Sequence, residues 1–583
     1  MRILPAAALL LASVWSLPLA AQDTADADAR LRALYDEYYR WGLEEGGYRE
    51  TASGELEQGP NLRQADAATR ERQAAVTAAY LARLDAIDAA ALSPAERVNA
   101  EVLRAQFNEE LGDARFREWE MPFDSDSSFW SYLDERRGLD SLGEYDDYLS
   151  RMRQVPRFID QNIANARAGL ARGFSVPRVT LDGRDESVRA YTVAENNPFW
   201  AAFAQMPDRI PAADRQRLQD EAQQVIAEQI VPAYSRLLSF LQDEYLPQAR
   251  QTLAAEAMPD GPDYYAQQIR QYTTLDLGAE EIHQIGLDEV ARIEAQMQAI
   301  MDEVGFTGTI AEFNEALRSD PQFIARTPDE LMGVSAYVAK RVDGEIGSYF
   351  GFLPRRRFTI RPVPDAIAPF YTAGRGGLDS CMMNTYDLPS RPLYNIPALT
   401  LHECSPGHSF QAAFQREVTG EVPAFRRNLY FSGMGEGWGL YTEFLGEEMG
   451  IYRTPYERYG RLSYEMWRAA RLVIDTGVHH YGWTRDQAVD YLASRTALSR
   501  HEVNTEVDRY ISWPGQALAY KLGELTIRRL RARAEAELGD AFDIRKFHDV
   551  VLELGSVPLP VLEERIDRFI AEGGPGLDGV TYD

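Results

Sequence analysis

Leu401-His402-Glu403-Cys404-Ser405-Pro406-Gly407-His408, followed by Gly435-Glu436-Gly437-Trp438, is the stretch on which the reading of this chain turns. Two of the seven histidines in 583 residues fall inside it, with a glutamate beside the first. A neutral imidazole is a good zinc ligand, and an adjacent carboxylate can act as general base toward a water on the metal. The short form of such a motif places its histidines four apart on one helix face. Here the second histidine stands at i+6, and at roughly 100° per residue a regular helix would turn it about 120° away from His402. Pro406 has no N–H for the carbonyl of His402, and Gly407 accepts unusual backbone angles. A bulge looping out the two extra residues would therefore return His408 to the side of His402. The alternative is a helix end at Pro-Gly carrying two unrelated histidines.

A catalytic zinc takes three protein ligands and keeps one position open. His402 and His408 supply two, and Glu436 is the expected third. It sits among glycines that let a metal or another backbone approach closely. Glu443 follows seven residues later on the same helix face, placed to orient a histidine from behind. Further on, Arg471, Asp475 and His479 recur at i, i+4, i+8. One face could thus offer an imidazole to a developing oxyanion, with Asp475 behind it. Tyr510 and Tyr520 are phenols that could donate to the same oxyanion. Arg471, Arg509 and Arg375 are the candidates for holding substrate charge. His283, His501 and His548 read as structural, and no phosphate loop or nucleophile elbow is present.

The rest of the chain narrows the class. A formal charge of −29 argues against nucleic acid and anionic membranes, both of which need a cationic footprint. Hydrophobic content of 45% supports a sizeable core. Residues 1–21 read as a secretory signal: Arg2, then an apolar run shorter than the ~20 residues of a spanning helix, then a small-residue exit. No cysteine follows the cleavage region, so the expectation is an exported product without a lipid anchor, periplasmic or secreted. Cys381 and Cys404 make no disulfide framework. An oxidising compartment permits one bridge between them, but two unpaired, buried thiols is the reading adopted.

Helical patterning dominates. Leu31, Leu34, Tyr35 and Tyr38 form an amphipathic stripe, and Ser93-Pro94-Ala95-Glu96, Thr327-Pro328-Asp329-Glu330 and Thr454-Pro455-Tyr456-Glu457 mark helix starts. Long helices are expected from about Pro211 to Gln242 and from Glu280 to Val304. Within about 355–400 the pattern changes. Arg357 to Val363, Ala368 to Ala373 and Cys381 to Tyr386 read as strands, with Gly374-Arg375-Gly376-Gly377 as the connection. Such a sheet beside the histidine helix could hold an extended peptide by main-chain pairing. The chain divides into a signal (1–21), an N-terminal helical region (22–270) and a catalytic region (271–583), probable parts of one continuous unit.

Ala398-Leu399-Thr400-Leu401 before the histidine motif, Gly435-Glu436-Gly437-Trp438, Asp475-Thr476-Gly477 with His479, Gly482-Trp483-Thr484 and Pro514-Gly515-Gln516-Ala517 together resemble the bacterial domain-of-unknown-function family 885. Many of its members are exported. The resemblance runs from about Leu31 to Leu562. It implies a mostly helical body related in layout to zinc peptidases that keep a glutamate ligand on a second helix. The histidine spacing is similar to that of dipeptidyl peptidase III, whose active helix accommodates the insertion. Members often carry a second histidine after Gly-His, where this chain has Ser409. The expectation is a mostly α, zincin-like metallopeptidase body with one small sheet, using Zn2+ and acting on peptides. Glu403 would activate the water, and His402, His408 and Glu436 would hold the metal. The alternatives are an inactive peptide-binding protein on that scaffold and a hydrolase of another amide or ester.

Overall fold

In the computed structural model, which describes residues 19–582 apart from 52–53, 126–127, 136–137, 366–367 and 419–421, the apolar stripe of the first helix is buried. Leu31, Leu34, Tyr35 and Tyr38 are each 5% exposed or less on α1 (Leu19–Gly46). Of the signal segment, residues 1–18 lie outside the described residues. α2 (Ala67–Asp85) and α3 (Pro94–Phe116) complete an N-terminal group. Ser93 caps α3 by accepting the Glu96 N–H, with Pro94 in the first turn. These helices share one continuous core with residues 325–569, whereas residues 123–249 pack a second core of their own. In that second core the expected long helix runs from Ala212 to Gln248 with two wide-turn segments, Ile226–Ile230 and Phe240–Tyr245. Each precedes a proline, Pro232 or Pro247, whose ring would clash with a carbonyl of the preceding helical turn.

The C-terminal half is built from α4 (Ala279–Glu303), α5 (Pro328–Glu345), α6 (Ile396–Glu403), α7 (His408–Glu417), α8 (Ser432–Glu448), α9 (Pro455–His479), α10 (Arg500–Ser512) and α11 (Ala519–Leu538). α4 packs along α9, and α8 along α11. The second pair lies unusually close: a Cβ on Gly437 would stand 2.6 Å from the Gly523 backbone, and one on Gly523 only 1.9 Å from the Gly433 carbonyl. Glycine at this crossing sets the position of α8, and with it Glu436. From Tyr459 to His479 every residue of α9 is buried, so each of its charged side chains needs a partner on another element. Lys521 of α11, fully buried, meets Glu465 of α9 at 2.8 Å, Glu289 of α4 at 2.9 Å and its neighbour Glu524 at 2.9 Å. One cation therefore ties three helices together.

Two small sheets are present. β1 (Tyr48–Glu50) and β2 (Leu56–Gln58) form a short antiparallel hairpin that the sequence reading did not include. The second sheet contains β3 (Thr359–Pro362), β4 (Gly374–Gly376) and β5 (Ser380–Met383) in the order β3-β5-β4. β3 runs parallel to β5, and β4 antiparallel to it. The expected middle strand is corrected: Ala368–Phe370 is a single helical turn, and the Gly374-Arg375-Gly376 segment read as a connection is itself the strand. Hairpin pairing with β5 overrides the low strand preference of glycine. No described helix is long and apolar enough to cross a membrane.

The expectation of two free thiols is also corrected. Cys381 of β5 and Cys404, just past α6, are joined in a disulfide, and both are fully buried. With its ends 23 positions apart in sequence, the bridge should contribute about 3 kcal/mol by restricting the unfolded chain. A Cys381→Ser/Cys404→Ser double variant is expected to melt below the wild type in calorimetry without reductant. Coincident melting curves would show that the bridge does not hold the sheet to α6.

Candidate metal centre

His402 and His408 do not share one bulged helix. α6 ends at Glu403, Cys404 leaves helical geometry at φ −98°, ψ −88°, and a new helix begins at His408. The four residues between are stitched down by hydrogen bonds. Gly407 N–H donates to the Leu401 carbonyl at 2.9 Å, Phe410 N–H to the Cys404 carbonyl at 3.0 Å, and Trp438 Nε1–H to the Pro406 carbonyl at 2.9 Å. At Gly407 a Cβ would stand 1.8 Å from the His402 carbonyl oxygen, so this tight reversal admits glycine alone.

The reversal turns His408 back to His402. The two rings stand edge to face with centroids 4.9 Å apart. Glu436, on the second turn of α8, meets both: its Oε2 lies 3.5 Å from His402 Nε2 and 3.4 Å from His408 Nε2. One ligand atom from each of the three lies within 4.8 Å of the others. Four-coordinate zinc with bonds of about 2.0–2.1 Å places neighbouring ligand atoms about 3.3 Å apart, so the donor set fits such an ion in both chemistry and spacing. The electrostatics agree. Burial opposes charge on His402, yet hydrogen bonding to Glu436 and Glu443 raises its pKa to about 10. Burial likewise opposes charge on Glu436, but the two imidazoles hold its carboxyl well below the usual range. The group is arranged around positive charge.

Glu443 takes the other nitrogen of His402, with Nδ1 to Oε1 at 2.8 Å. Arg468 of α9 reaches the same oxygen at 3.3 Å. That arrangement fixes the ring and leaves Nε2 directed toward Glu436 and His408. Glu403 points to the sheet, where Gly376 N–H of β4 donates to its Oε2 at 2.6 Å. Arg375, on the same strand, has its pKa raised chiefly by a hydrogen bond to Tyr371, with the charges of Glu403 and Glu436 adding. β4 is thus an edge strand beside Glu403.

Other expected site residues stand elsewhere. The oxyanion role expected of His479 is corrected: Nδ1 accepts from Ala255 N–H at 3.1 Å and Nε2 donates to the Tyr510 carbonyl at 2.8 Å, so neither nitrogen is free. Burial accordingly lowers its pKa to about 3. Asp475 does not back the centre either. It accepts from the Tyr265 hydroxyl at 2.6 Å and from Gly515 N–H at 3.1 Å, and burial raises its pKa to about 7. Tyr510 is also corrected, since its buried hydroxyl already accepts from Trp467 Nε1 at 2.8 Å and Arg471 Nε at 2.9 Å. Arg471 is buried, pairs with Glu506 at 2.9 Å and lies over the Tyr520 ring at 4.3 Å. Arg509 reaches Gln516 at 2.6 Å and Tyr520 Oη at 3.3 Å. These two arginines support Tyr520 from behind.

Sequence reasoning missed Tyr430. Its hydroxyl donates to Glu436 Oε1 at 3.0 Å, and the ring packs over Gly435. The side chain is 54% exposed, yet burial leads the causes that push its phenol well above the ordinary pKa, followed by the charge of Glu436 and the neighbouring Tyr520. Tyr430 lies in an aperiodic stretch before α8, and only its proximity to Gly435-Glu436 could have singled it out.

Glu443→Gln is expected to weaken zinc binding about 10–100-fold, because the amide cannot accept from His402 with the same strength. Competition with a chromophoric chelator measures this, and an unchanged affinity would contradict the role given to Glu443. Gly407→Ala should reduce zinc content well below that of the wild type, read by elemental analysis, with the helical circular dichroism retained.

Comparison with known proteins places this geometry. The chain resembles two solved structures, each described as a "putative lipoprotein". With that of Colwellia psychrerythraea it shares 27% identity and a TM-score of 0.85, over 94% of this chain and 99% of the other. With that of Shewanella oneidensis, described as of unknown function, the likeness is one of fold: 18% identity and a TM-score of 0.65 over the same shares. No curated protein matches. The family model for the bacterial protein of unknown function DUF885 matches residues 49–566, and the chain belongs to that family.

Proposed function

We propose that this protein is an exported, zinc-dependent peptidase of zincin-like layout that hydrolyses peptide bonds in peptide substrates. The observation that carries the reading is the convergence of His402 Nε2 and His408 Nε2 on one oxygen of Glu436, at 3.5 and 3.4 Å, with Glu403 beside them. His402, His408 and Glu436 would hold the ion, with Glu443 keeping the proton of His402 on Nδ1. When bound, zinc supplies Lewis acidity and lowers the pKa of water to about 7.

The chain's own residues supply the remainder. Glu403 takes a proton from the attacking water and passes it to the leaving amine, as a general base and then acid. Gly376 N–H holds that carboxylate in place. Among the described residues β4 is an edge strand beside which an extended peptide can pair, and Arg375 lies on that strand to meet substrate charge. Tyr520, braced by Arg471 and Arg509, offers its hydroxyl toward the oxyanion, while Tyr430 holds the Glu436 carboxylate. Export is supported by the buried disulfide, which persists in oxidising compartments, and by the lipoprotein descriptions of the two similar structures. The net charge of −29 disfavours nucleic acid and anionic membranes as partners.

The test is a mixed peptide library incubated with zinc-loaded protein, its cleaved ends read by mass spectrometry. Wild type is expected to hydrolyse a subset, and Glu403→Gln to retain zinc while losing at least about 100-fold in rate. A zinc-loaded wild type that cleaves nothing, or a Glu403→Gln variant at full rate, would overturn the reading.

A further inference from the structure

A cavity of about 370 Å³ is walled by residues that neighbour the candidate metal site along the chain, among them Leu378, Ala412, Arg416, Arg426, Arg427 and Leu429. Three chain connections join it to the centre. Ala412 stands one helical turn beyond His408 on α7, Leu378 two residues past Gly376 of β4, and Leu429 next to Tyr430. Its volume is in the range of small-ligand sites, about 300–1,000 Å³.

The wall is cationic in a chain whose net charge is strongly negative. Arg427 meets Glu50 at 2.7 Å. Arg416, exposed in the last turn of α7, has no ion-pair partner among the described residues, and Arg426 has none either. Arg426 instead donates to the Asn99 side-chain oxygen at 2.9 Å and to the Leu554 carbonyl, and its buried Nε has no partner. Burial pulls its pKa down to about 10, with the charge of Glu96 opposing. Among the described residues, three guanidinium groups thus face two carboxylates, Glu50 paired with Arg427 and Glu96 near Arg426. A desolvated cation lacking its counterion is costly, and a ligand carboxylate relieves that cost while accepting the forked N–H pattern of arginine. Leu378 and Leu429 provide apolar surface for the methylenes of such a group.

We infer that this cavity is the subsite for a carboxylate of the peptide substrate, carried by an acidic side chain or a free C-terminus near the scissile bond. The inference rests on the peptidase reading for the identity of the ligand. It adds a preference for acidic or C-terminally free peptides that the metal centre alone does not impose.

The experiment uses zinc-loaded protein and alanine-based hexapeptides with one glutamate walked along the sequence. Each has a glutamine twin, and each is made as free acid and as amide. Binding is followed by competitive fluorescence polarisation and cleavage by mass spectrometry. At one position, or at the C-terminus, the neutral form is expected to bind at least tenfold more weakly. The glutamate and amide arms tell the side chain from the terminus. The preference should shrink to within twofold in Arg426→Met and be reduced in Arg416→Gln, a helix-surface change that leaves zinc content and melting temperature as in the wild type. Equal binding of charged and neutral peptides, or a preference that survives both substitutions, overturns the subsite. Peptides bound with the preference but never cut leave the subsite standing and remove the peptidase reading instead.

Discussion

Two imidazoles six positions apart can meet one carboxylate only because the chain stops being a helix between them. The contact on which this depends is the approach of Gly407 to the His402 carbonyl, where no side chain fits. Around it the Leu401, Cys404 and Pro406 carbonyls, which the break deprives of regular helical partners, find donors in Gly407, Phe410 and Trp438. The disulfide from Cys404 to Cys381 anchors the same break to the central strand of the sheet. The adjoining strand β4 then brings Gly376 to Glu403. One short irregular segment thereby sets His402, His408, Glu403 and the β4 edge relative to one another.

The carboxylate of the group reaches the site by a different route. Glu436 belongs to α8, whose height is fixed by the glycine crossing with α11, while α11 is tied through Lys521 to α9 and α4. α9 contributes Arg468 to Glu443, and Glu443 holds His402. Buried charge thus runs from the supporting helices to the imidazole. Each group on that path has a partner on another element, the condition under which buried ions are tolerated.

What could be read from the sequence follows from which interactions are local. His402, His408, Glu436 and Glu443 could be named because their chemistry and spacing are local facts, and the caps at Ser93, Thr327 and Thr454 likewise. The strand at Gly374–Gly376 could not, because glycine carries no strand signal and the segment reads as a turn, although its hairpin partner β5 is close in sequence. α9 misled for a physical reason. A helix buried on all sides has no single polar face, so Arg471 and His479 serve Tyr510 while Asp475, between them in the regular spacing, serves Tyr265. The disulfide escaped because two cysteines in a long chain are compatible with both states. Tyr430 escaped because an aperiodic approach to a helix carries no pattern.

The central claim is that His402, His408 and Glu436 together hold one zinc ion. Diffraction from zinc-soaked crystals at the zinc absorption edge tests it most directly. The account predicts a single strong anomalous peak at about 2.0–2.2 Å from His402 Nε2, His408 Nε2 and a Glu436 oxygen, with a fourth position open to solvent. A peak held by other residues, or none at this site with zinc in excess, would contradict it.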